Sequence, residues 1–174
     1  MGKLARIMLL TSVLFVSGAL IAAAQAPAPA KAKPAAAPAS THKMITPDQL
    51  KWGPAPPSLP PGAQMAVLDG DPTKPGSFTV RAKFPDGYTV APHWHPTDEN
   101  LVVISGALML GVGDKAEASA MHAMPAGSFS KMPKTVRHYV QAKGETVVQI
   151  YGTGPFAVTY VNPKDDPRKK MTAK

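Results

Sequence analysis

From Gln64 onward the chain is written in apolar runs of four to eight residues, each cut off by Gly, Pro or Asp. That punctuation leaves almost no room for an amphipathic helix of ordinary length, whereas short runs bounded by turn formers suit strands. Strands are predicted at Gln64–Leu68, Ser77–Phe84, Tyr88–Ala91, Asn100–Ser105, Ala107–Val112, Ser128–Met132, His138–Ala142, Thr146–Tyr151 and Phe156–Val161. Between them Pro85–Gly87, Ser105–Gly106, Gly113–Lys115, Lys143–Gly144 and Thr153–Pro155 read as turns. Only Lys115–His122 has the composition for a helical turn or two. Nine short strands at this spacing predict an all-β sandwich or barrel.

What precedes this domain is a different material. Lys3 and Arg6 stand before an apolar run, Ile7 to Ala24, that ends in small residues. This is the pattern of a signal peptide over residues 1–26, with Ala24 the favoured cleavage point because Pro27 would hinder a cut after Ala26. Residues 27–59 are rich in alanine, proline and lysine and are expected to run as an extended linker, with Trp52 and Leu59 able to pin its end. Residues 60–162 form the folded domain and residues 163–174 a basic tail. The chain has no cysteine, which excludes disulfides, a lipoprotein anchor and thiolate metal sites. A periplasmic or secreted protein follows, with no stable membrane anchor once the leader is removed.

The formal net charge of +8 invites a nucleic-acid reading. Its distribution argues against one, since residues 60–162 carry eight Lys/Arg and eight Asp/Glu. The excess lies in the leader, the linker and the tail, where solvated charge is the ordinary case.

The chemistry concentrates in PHWHPTDE, residues 92–99. Residues i and i+2 of a strand face the same way, so His93 and His95 present both imidazoles on one face. Glu99 opens the next strand and shares odd parity with Leu101 and Val103, which can return it to that face. His138 lies on a later strand and joins only through the fold. Three imidazoles and a carboxylate on an inward face suit one divalent first-row metal: Fe, Mn, Ni, Co or Zn. His42 and His122 read as solvated bystanders. Leu101, Val103 and Val140 are pocket candidates beside the ligands. Gln149 interrupts the run VVQIY; Gln149 and Tyr151 orient a ligand if they point inward with Val147, and face solvent otherwise. Arg81 and Lys83 share a face that reads as exposed.

These residues resemble the cupins, small β-barrels (a double-stranded β-helix, or jelly roll) with two sequence motifs. Gly87, His93, His95, Glu99 and Gly106 match the first motif without a gap, and Gly127, Pro133 and His138 match the second. Thr135 and Ala142 stand where that pattern prefers glycine and asparagine, and Thr135 is expected to need another turn geometry. The resemblance covers residues 60–162 and implies a single cupin barrel with His93, His95, Glu99 and His138 as its metal ligands. Dimers are common among similar proteins, and apolar residues on both faces of LVVI (101–104) suit a homodimer. The expected function is a metal-dependent, dioxygenase-like enzyme acting on a small oxygenated organic compound; the alternative is a non-catalytic module binding metal and a small ligand.

Overall fold

The structure is a computed structural model and describes residues 42–171. The leader and the first part of the linker lie outside the described residues. The strands are β1 (Gly53–Pro54), β2 (Gln64–Asp69), β3 (Gly76–Phe84), β4 (Thr89–Trp94), β5 (Glu99–Val112), β6 (His122–Pro125), β7 (Phe129–Met132), β8 (His138–Gly154) and β9 (Thr159–Tyr160). A short helix, α1 (Pro167–Met171), follows them. The strand pairs are antiparallel. Order runs β1-β2-β3-β8-β4-β9, and β5 pairs β6, β7 and β8. This is the single all-β cupin barrel.

Two long strands make closure possible. The first half of β8 pairs β4 and the second half of β5, while its second half pairs β3 and the first half of β5. The turns expected at Ser105–Gly106 and Lys143–Gly144 are therefore corners within continuous strands. Register slips there between Val103 and Ala107. Gly106 sits at φ 75°, and a Cβ on it would collide with the Glu145 carbonyl and Thr146, so the corner admits only glycine. Thr146, fully buried, donates to the Ala107 carbonyl at 2.9 Å and so ties the two corners together.

Residues 122–125 are a strand, not a continuation of the helical turn expected up to His122. Only Ala118–Ala120 forms a 3₁₀ turn, and pairing of Met124 with Leu108 and of His122 with Leu110 overrides the alanine-rich composition.

Alternation on β3 sends Phe78, Val80, Ala82 and Phe84 inward, where Leu101, Val103, Leu108, Val148 and Ile150 meet them. Each large apolar side chain so buried contributes about 1.5–3 kcal/mol. The end of the stretch read as linker also joins the domain. Gly53–Pro54 pairs β2, Leu59 packs against the core, and Lys83 places its ammonium 4.7 Å from the centre of the Trp52 ring. Two buried tyrosines clamp this proline-rich strap. The Tyr88 hydroxyl donates to the Pro60 carbonyl at 2.6 Å and the Tyr160 hydroxyl to the Ser58 carbonyl at 2.8 Å.

Candidate metal centre

A bulge decides where the histidines point. On β4, Val90 faces the core, and a register slip between Val90 and His93 changes the parity so that His93 faces the core as well. His93 lies opposite His138, the first residue of β8. Glu99, the first residue of β5, faces in with Leu101 and Val103. The two motif loops are stitched together: Thr135 N–H donates to the His95 carbonyl at 2.9 Å and Lys134 N–H to Asp98 Oδ1 at 2.9 Å.

The structure thus brings His93, His95, Glu99 and His138 together, all at most 5% exposed. Each imidazole is oriented from behind by a backbone carbonyl. Nδ1 of His93 donates to Ala91 at 2.8 Å, that of His95 to Ala157 at 2.8 Å, and that of His138 to Val136 at 3.1 Å. A carbonyl only accepts, so each Nδ1 carries a hydrogen, and the neutral ring leaves a bare lone pair on Nε2. One nitrogen of each ring falls within a 4.8 Å cluster. Nε2 of His95 and of His138 stand 3.5 and 3.3 Å from Glu99 Oε2. Nε2 of His95 has no hydrogen-bond partner.

Lone pairs facing a carboxylate repel unless something positive lies between them. A proton on an imidazole or a metal cation meets that need. Ligand atoms about 2.0–2.2 Å from one ion are separated by about 3.0–3.5 Å, which matches the two distances to Glu99. The donor set is nitrogen and oxygen without thiolate, and suits Fe, Mn, Ni, Co or Zn. The three histidines can hold a metal, and the identity of the ion is open among these five.

Burial, reinforced by the neighbouring His138 and His95, holds His93 down at about 3. Burial also lowers His95. Burial acts to raise Glu99, but a proton held in the gap it shares with His138 and His95 more than offsets it, and its carboxyl lies below the usual range. Groups ready for a cation are the result: neutral nitrogens on His93 and His95 and an ionised oxygen on Glu99.

The cluster opens into a cavity of about 470 Å³. Its walls are mostly apolar, with Phe78, Val80, Leu108, Leu110 and Ile150 among them. Of the pocket candidates, Leu101 and Val140 line it. Val103 is corrected to core, 1% exposed and away from the cavity. Gln149 and Tyr151 are corrected to the outer face. Inward residues of β8 are His138, Val140, Ala142, Thr146, Val148 and Ile150, all even, so Gln149 and Tyr151 point out. Gln149 there accepts a hydrogen bond from Arg81 Nε at 3.3 Å. His42 and His122 are exposed, away from the cluster.

Thr135 is a further correction. It keeps the left-handed turn expected of glycine, at φ 65°, with its hydroxyl donating to the Lys134 carbonyl at 2.6 Å. Sequence reasoning missed three parts of the wall: the strap residues Pro54, Pro56, Ser58 and Leu59; Phe156, stacked 4.2 Å from His95; and Arg168. The strap and Arg168 were hidden in segments whose composition reads as linker and tail, and Phe156 carried only a strand signal.

Comparison with known proteins agrees with this fold. A family described as a domain of unknown function, DUF4437, matches residues 23–165, and the chain belongs to it. Solved cupin structures share its fold. A proposed acetylacetone dioxygenase from Methylibium petroleiphilum PM1 is 22% identical with a TM-score of 0.56, covering 74% of this chain and 86% of that one. The polyketide cyclase RemF from Streptomyces resistomycificus is 14% identical with a TM-score of 0.57, covering 76% and 94%. An RmlC-like cupin from Shewanella frigidimarina NCIMB 400 is 16% identical with a TM-score of 0.50, covering 66% and 91%. No curated protein matches the chain.

Proposed function

We propose that this cupin is an exported, metal-dependent enzyme whose oxidative, dioxygenase-like chemistry acts on a small oxygenated organic compound. The observation that carries the reading is the cluster of three imidazoles, each held through Nδ1 and with Nε2 of His95 and His138 facing Glu99, at the end of an apolar cavity of about 470 Å³. His93, His95, Glu99 and His138 would hold the ion. When bound, a divalent transition metal supplies Lewis acidity and, as Fe(II), a redox centre. The chain's own groups do the rest. Carbonyls of Ala91, Ala157 and Val136 keep the imidazoles aimed. Apolar walls desolvate a substrate and exclude bulk water. The strap over residues 54–59 bounds the space available to it.

Among the described residues the metal cluster supplies every histidine and carboxylate in the lining, and no lysine or tyrosine joins them. That observation favours the second reading, a binding module in which metal and cavity capture a ligand without turning it over. Oxygen uptake and product formation by Fe(II)-loaded protein with a panel of catechols, thiols and keto acids separate the two. Turnover abolished by His95→Ala supports the enzyme; saturable binding with no turnover under any of the five metals supports the module.

Export rests on the leader read over residues 1–26, and places the protein in the periplasm or outside the cell, without an anchor after cleavage and without a nucleic-acid partner. No described helix is long and apolar enough to cross a membrane. A homodimer is supported by the outer face of β5 and β7, where Ile104 and Phe129 are 40% and 57% exposed.

A further inference from the structure

The cavity has a second polar feature that the metal centre does not use. Among the described residues, Arg168 of α1 is the only lysine or arginine that lines it. Its side chain is 46% exposed, so it stands where the cavity meets solvent. Asp166 grips one edge of the guanidinium, with Nε to Oδ1 at 2.8 Å and Nη2 to Oδ2 at 2.8 Å. Nη2 also donates to the Val158 carbonyl at 3.2 Å. Those three bonds use Nε–H and both hydrogens of Nη2. The hydrogens of Nη1 have no partner among the described residues.

A guanidinium held along one edge, on a residue that lines an apolar cavity and with its other nitrogen unbonded among the described residues, is prepared for an anionic oxygen. Its placement relative to the metal centre is also fixed by the chain. Ala157 accepts from His95 and Val158 accepts from Arg168, so adjacent residues carry the metal ligand and the cation. We propose that Arg168 recognises the carboxylate of the ligand, and that the ligand is a small organic acid with an apolar body spanning the cavity between Arg168 and the histidines. The role of the histidine end rests on the metal-centre reading; the role of Arg168 does not.

Two experiments on the full chain test this. Benzoate, phenylacetate and hexanoate, each paired with its neutral amide, are titrated calorimetrically into Co(II)-loaded protein. At least one acid is expected to bind better than its amide, and Arg168→Gln is expected to lower that preference about tenfold or more, as loss of a charge-assisted hydrogen bond does, with Co(II) stoichiometry unchanged. A preference that survives in Arg168→Gln would place the carboxylate on the metal and overturn the proposal, as would acids and amides binding alike. Should that variant not fold, the second experiment decides. Phenylglyoxal modification of Arg168 in metal-free wild-type protein, mapped by mass spectrometry, is expected to slow at least severalfold with the acid and not with the amide. Equal modification rates would overturn the proposal. Failure of the wild type to bind Co(II) or any of the other four ions would refute the metal reading alone, because the protection measurement uses no metal.

Discussion

Glu99 Oε2 stands 3.3 Å from Nε2 of His138, although one residue opens β5 and the other opens β8. Both are buried, and His138 Nδ1 is already committed to the Val136 carbonyl. Replacing the carboxylate by an amide separates the two cations that could fill this gap. In Glu99→Gln the amide N–H can donate to the imidazole lone pairs, so metal-free protein is expected to be at least as stable as wild type. Metal affinity is expected to fall by about tenfold to hundredfold or more. Thermal melts of metal-free protein and Co(II) titrations check both halves; unchanged Co(II) affinity would contradict the ligand role of Glu99.

Stability of the metal-free protein depends on pH with a definite sign. His93, held at about 3, and His95, also lowered, resist protonation in the folded state. The unfolded chain protonates them near ~6.5, so it binds more protons and folding weakens as pH falls through that value. The loss grows at up to about 1.4 kcal/mol per pH unit for each such histidine until the folded-state value is reached. Glu99, lowered, adds a loss in the same direction only below its ordinary range near 4.5. Urea midpoints at pH 7.5, 6 and 5 are expected to fall in that order. A flat or rising series from 7.5 to 5 would contradict neutral buried imidazoles.

Thr135 carries a β-branched side chain in a left-handed conformation at φ 65°. Such strain costs about 1–3 kcal/mol. Glycine removes it at some entropic cost, so Thr135→Gly is expected to stabilise the protein by about 1 kcal/mol, a rise of a few degrees in Tm. The bond to the His95 carbonyl comes from the backbone of residue 135 and survives the change. Metal content should not change. A lower Tm in Thr135→Gly would refute the strain.

The strap is held by two hydroxyls, and each can be removed singly. Tyr160→Phe releases the Ser58 carbonyl and Tyr88→Phe the Pro60 carbonyl. Each is expected to cost about 1 kcal/mol or somewhat more, since an acceptor is left unpaired. Faster limited proteolysis between residues 53 and 61 should accompany the loss. Cleavage there at the wild-type rate would show that the tyrosines do not hold the strap.

The barrel and three of its four central side chains were legible from local signals, strand-length runs and the spacing within PHWHPTDE, whereas His138 was reached through the resemblance to the cupin motifs. What went unread was parity across corners. Lys143–Gly144 looked like a turn, which reset the inward count, whereas β8 continues through it and His138, Val148 and Ile150 keep one parity. Gln149 and Tyr151 consequently lie outside, and the apolar residues on both faces of VVQIY gave no independent cue. Arg168 and the strap were unreadable for another reason: charge runs and proline-rich stretches signal solvent locally, and only tertiary contacts bring these to the cavity. Accordingly Gln149→Ala is expected to leave metal and ligand binding within about twofold of wild type, since surface changes away from a site cost at most ~0.5 kcal/mol. A tenfold loss in either would contradict its outward placement.

The central claim is that four side chains from separate segments hold one cation. Elemental analysis after reconstitution with each of Fe(II), Mn(II), Ni(II), Co(II) and Zn(II), followed by exhaustive dialysis at neutral pH, measures it directly. For at least one ion the account predicts one equivalent per chain in the wild type and a near-complete loss in folded His95→Ala and Glu99→Ala variants. A wild type that retains no ion, or variants that retain a full equivalent, would contradict it.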